Sequence, residues 1–64
     1  MLDYFFEVRD SLNWIKQGSS FYSCNKDYCF LININKEIDL IIYSAEFGTI
    51  LFQKSFKYLT FLLK

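Results

Sequence analysis

Residues 28–45, YCFLININKEIDLIIYSA, constrain the fold more than any other stretch of this chain. Two runs of β-branched, aromatic and aliphatic residues meet at the polar break Asn35-Lys36-Glu37. In the first run Tyr28, Phe30, Ile32 and Ile34 fall on one face, with Cys29, Leu31, Asn33 and Asn35 on the other. The second run sets Ile38, Leu40 and Ile42 against Asp39, Ile41 and Tyr43. Period-two alternation across a short polar break predicts a β-hairpin. A hairpin alone is marginal in water, so other elements must cover its apolar side.

The flanks supply candidates. Met1, Phe5, Val8, Leu12 and Ile15 recur at helical spacing, which predicts a first helix over 2–17. Asp3 stands as its N-cap and Gly18 as its terminating glycine. Phe21 to Cys24, followed by the turn-forming Asn25-Lys26-Asp27, predicts a strand over about 20–24. With strands over about 28–34 and 38–44, this makes a three-stranded antiparallel meander in sequence order. Near the end, Gln53, Lys57, Thr60 and Lys64 alternate in helical steps with Phe52, Phe56, Leu59 and Leu63. That pattern predicts a C-terminal helix over about 53–63, beginning as early as 49. The expected architecture is therefore a single α+β domain over residues 1–64: helix, three-stranded meander, helix, in two layers with both helices on one sheet face.

Composition enters as a size argument. A chain of 64 residues is near the lower limit for independent folding, and its 53% hydrophobic and 22% aromatic content compensates. The chain has no proline or histidine and is rich in Ile, Asn, Lys, Phe and Tyr, as AT-rich coding produces. Formal net charge is zero, which argues against a dedicated polyanion binder and against an acidic nucleic-acid mimic. The start lacks the basic-then-apolar order of a signal peptide, and no run approaches the ~18 apolar residues of a membrane span. The expected location is cytoplasmic, in a bacterial host or a phage-infected cell, with no membrane attachment.

No motif carries enzymatic chemistry. Without histidine there is no Ser-His or Cys-His dyad, and two glycines are too few for a phosphate loop. Neither a cofactor nor a metal is expected, since Cys24 and Cys29 cannot complete a four-ligand site. Across a hairpin the two cysteines could pair as a disulfide, but a reducing cytosol favours free thiols.

The expected function is a non-enzymatic protein-binding module. Its most concrete form is an inhibitor or adaptor docking on a larger protein or protein–nucleic acid complex. Size and composition match phage or mobile-element products of the anti-defence kind, anti-CRISPR inhibitors among them. The expected contact is a helical stripe of Asp3, Glu7, Asp10 and Trp14 with Phe6 at its margin, Trp14 being the anchor; the competing reading has Trp14 cap the core edge. An alternative is a homodimeric nucleic-acid binder using Lys54, Lys57, Tyr58, Phe61 and Lys64 on the last helix. Three lysines neutralise few phosphates, so direct nucleic-acid binding is disfavoured. A third reading is an assembly subunit. The sheet face carrying Cys29, Leu31, Ile41 and Tyr43 is too apolar for water, so self-association through it or through the sheet edge is also expected.

Overall fold

A computed structural model describes residues 1–57 of the chain. Helix α1 (Leu2–Val8) and a 3-10 turn (Arg9–Ser11) lead into five strands. These are β1 (Ile15–Gln17), β2 (Ser20–Cys24), β3 (Tyr28–Ile34), β4 (Ile38–Ser44) and β5 (Ile50–Phe56). They form one antiparallel sheet in the order β1-β2-β3-β4-β5.

This corrects the expected helix–meander–helix architecture at both ends. The first helix stops at Val8 instead of running to 17. Arg9-Asp10-Ser11-Leu12-Asn13 holds three residues whose side chains compete for backbone groups. The Ser11 hydroxyl donates to the Val8 carbonyl at 2.9 Å, and Trp14 Nε1 donates to the Arg9 carbonyl at 2.8 Å. Both carbonyls are thereby satisfied at the point where the helix ends. Gly18 then serves a hairpin, with φ +61° at the first of two turn residues between Gln17 and Ser20. Glycine first with positive φ is the pattern of a type II′ turn.

At the other end, residues 50–56 pair with β4 as a fifth strand, so no helix occupies 53–56. The rest of the helix expected over 53–63 lies outside the described residues beyond Lys57. Among the described residues, two strands join the expected three, and a single α-helix packs on the sheet.

Alternation sorts the side chains onto two faces. On the covered face Phe30, Ile32, Ile38, Leu40, Ile42 and Phe56 join the fully buried Phe5 of α1 in one core. The Phe5 ring sits 5.8 Å from Phe30, and Tyr4 stacks 6.4 Å from the same ring. A helix of seven residues is shorter than the ~12–15 needed to persist in water. Burying Phe5, worth about 2–3 kcal/mol, is what holds α1 against the sheet. At the end of β2, Asn25 fixes the next turn: its Oδ1 accepts from the Asp27 and Tyr28 amides, and its Nδ2 donates to the Tyr4 hydroxyl at 2.9 Å. The turn is thereby tied to α1.

Candidate functional site

The face away from α1 has no layer over it among the described residues. Strand register arranges its side chains in three rows across the sheet. One row holds Cys24, Cys29, Tyr43 and Ile50. The next holds Ile15, Tyr22, Leu31, Ile41 and Gln53, and the last Gln17, Ser20, Asn33, Asp39 and Ser55. Two rows are thus largely apolar and the third is polar.

The polar row is internally satisfied. Ser20 Oγ donates to Asn33 Oδ1 at 2.6 Å, and Ser55 Oγ donates to Asp39 Oδ1. Asp39 carries the one formal charge in the three rows.

Within the apolar rows, Ile15 is 56% exposed and Ile50 61% exposed. Leu31, Ile41, Tyr22 and Tyr43 are half-buried, with no cover above them among the described residues. Leu51, the extra residue where the β4–β5 register shifts between Ile42 and Tyr43, adds exposed apolar area at the β5 edge.

Cys24 and Cys29 face each other in register at the β2–β3 turn and are joined by a disulfide. The balance struck from the sequence favoured free thiols, because it weighed compartment above geometry. The Tyr22 hydroxyl lies 3.1 Å from Cys24 Sγ and 3.8 Å from Cys29 Sγ. Bonded sulfurs carry no proton, so the hydroxyl is the donor. Beside it, the Tyr43 phenol is pushed up to about 12, first by burial, then by its hydrogen bond to Tyr22 and by that residue's charge. The Tyr22 and Tyr43 rings lie 6.5 Å apart. Disulfide and tyrosines form a firm, neutral corner of the face.

The residues expected to form a contact stripe are dispersed. Asp3 and Glu7 are exposed on α1, but Asp10 lies in the 3-10 turn and Trp14 lies outside any helix. The Trp14 ring is 6.3 Å from Phe5 and 6.5 Å from Phe30, packed against the core edge. Phe6 is half-buried under Arg9, whose guanidinium sits 5.0 Å from the ring centroid. Arg9 also reaches Asp10 at 3.9 Å. The helical stripe is broken after Val8, although Asp10 and Trp14 still line a common cavity.

The lysine face expected on a last helix is likewise absent from the described residues. Lys54 stands on β5 with its ammonium 5.5 Å from the Phe56 ring centroid, and Lys57 follows the strand end. Tyr58, Phe61 and Lys64 lie outside the described residues.

On the covered side, Phe5, Arg9, Asp10, Trp14, Phe21, Ile32 and Ile34 line a cavity of about 280 Å³. That is just below the ~300 Å³ at which ligand pockets begin. Among the described residues, no group of His, Cys, Asp and Glu could hold a metal, and no helix is long and apolar enough to cross a membrane. The chain matches no known family model, curated protein or solved structure.

Sequence reasoning did identify the apolarity of Cys29, Leu31, Ile41 and Tyr43. It missed Ile15 and Ile50, which it had assigned to a helix and to an undecided segment. The signal that could have found Ile15 is Gly18-Ser19 between two short β-prone runs, which reads as a two-residue hairpin.

Proposed function

We propose that this chain is a small non-enzymatic protein-binding module that docks through the uncovered face of its sheet. The observation that supports this reading is the pair of apolar rows, Cys24 to Ile50 and Ile15 to Ile41, lying open beside a polar row. Aromatic and aliphatic side chains clustered at the middle of a face, with polar groups toward one margin, match the anatomy of a binding interface. An inhibitor or adaptor of this build presents Tyr22, Leu31, Ile41 and Tyr43 to its target and turns α1 away.

Affinity capture with the tagged chain tests the reading when run beside Ile41→Lys and Glu7→Lys variants. Ile41 stands at the middle of the open face, and Glu7 on the exposed side of α1. Partners retained by the parent and by Glu7→Lys, but lost with Ile41→Lys, support docking by the sheet. Loss with Glu7→Lys and retention with Ile41→Lys would move the contact to α1 and overturn it.

A further inference from the structure

Resting on the docking face proposed above, we infer that the partner this face fits is a second copy of the same chain, stacked sheet on sheet. Three observations carry the inference. The first is self-complementarity. Closed dimers are isologous, so each residue must tolerate what the two-fold axis sets against it. An axis lying in the interface parallel to the strands, over β3, keeps each row at its own height and exchanges β2 with β4. Leu31 then meets its own copy, Ile41 faces the partner's Tyr22, and Tyr43 faces the partner's disulfide. Apolar rows fall on apolar rows.

Charge is the second observation. Asp39 is the one formal charge in the three rows. The same axis carries it over the partner's Ser20, away from its own image, so no like charges meet. A face so nearly uncharged offers a strongly charged partner nothing complementary, whereas a copy of itself asks for nothing more.

The third observation is area. By standard strand spacings, five strands present a face about 20 Å on a side. Two such faces packed ~10 Å apart, as in a β-sandwich, remove on the order of 1,000 Å² of accessible surface from water. That lies near the ~1,000 Å² a biological interface should clear and below the ~1,200 Å² of stable ones, as a weak, concentration-dependent dimer requires.

Sedimentation velocity under non-reducing conditions tests this, over total concentrations from about 1 to about 500 μM. The parent chain should shift from monomer to dimer across that range. Ile41→Lys should weaken the dimer at least about tenfold, and Glu7→Lys should leave it unchanged. Ile50→Lys is the second variant: Ile50 is 61% exposed, so its substitution leaves the core intact while charging the same face. Circular dichroism confirms that each variant keeps its sheet. A dimer that survives Ile41→Lys and Ile50→Lys would overturn the inference, because it would use another surface. A monomeric parent that still loses a captured target with Ile41→Lys would remove the second copy and leave the docking face. A monomeric parent whose captures ignore Ile41→Lys would remove both.

Discussion

Trp14 shows how far one side chain's role depends on the backbone beneath it. On a continuous helix the indole would stand among Asp3, Glu7 and Asp10. With the helix ended at Val8, it folds back to donate to the Arg9 carbonyl and packs on Phe5 and Phe30. Trp14→Ala should therefore cost about 2–3 kcal/mol, below the value for a fully buried aromatic because the ring is incompletely buried. For a domain of this size each kcal/mol moves Tm by roughly 4–8 °C, so thermal denaturation will register the loss plainly. An unchanged Tm would return Trp14 to a purely external role. Tyr43 gives a second test at the same scale. Its pKa in the folded chain is about 12, above the ordinary value of 10.0. The sign follows from linkage: the neutral phenol is favoured by folding, so its contribution is intact below pH ~10 and fades as pH rises toward 12. Phenolate absorbance should show a late step near 12 that Tyr43→Phe removes, and the parent should lose stability across that window faster than the variant.

Among the elements, legibility followed the periodicity. Strands β3 and β4 lie on the segments whose alternation points to them, because period two over seven residues disfavours a helix, and β2 lies on the five residues before the Asn25 turn. β5 was misread because Phe52 and Phe56 are four apart, a spacing that shares a face in both a strand and a helix. The contacts that decide the matter are non-local: Ile38 with Phe56 and Ile42 with Phe52 across the β4–β5 ladder. The first helix was overextended for a related reason. Met1, Phe5 and Val8 do share a helical face, but Ile15 continues that spacing by coincidence and belongs to a strand paired with Tyr22. The open sheet face was partly visible in the alternation of β3 and β4; its margins depended on β1 and β5 and were not. Two turn predictions belong to this scale. Gly18→Ala meets no atom within 4 Å, so its cost is the backbone strain of φ +61° alone, about 1–2 kcal/mol by chemical denaturation. Replacing both Cys24 and Cys29 with Ser opens a loop of sequence separation 5 and should lower stability by about 2 kcal/mol. Cys24 is exposed, so a reducing agent should reproduce that loss in the parent chain.

At the scale of the whole molecule, the described residues set one short helix over a five-stranded sheet, an asymmetry for a domain this small. Among the described residues the core lies on the α1 side of the sheet, with Leu12 and Trp14 also packed on it, and the opposite face carries Ile15, Tyr22, Leu31, Ile41, Tyr43 and Ile50 in contiguous rows. On the proposed docking, binding and folding draw on the same sheet, one face each. Because a partner stabilises whatever state it binds, Tm should rise with protein concentration if that partner is a second copy. Methyl-resolved NMR over a concentration series tests the central claim most directly. Leu31, Ile41, Ile15 and Ile50 methyl signals should shift or broaden as concentration rises, while Ile32, Leu40 and Ile42 on the covered face hold still. Perturbation centred on Val8 at the end of α1 and on Leu12 beyond it, with the open-face methyls unmoved, would contradict the account.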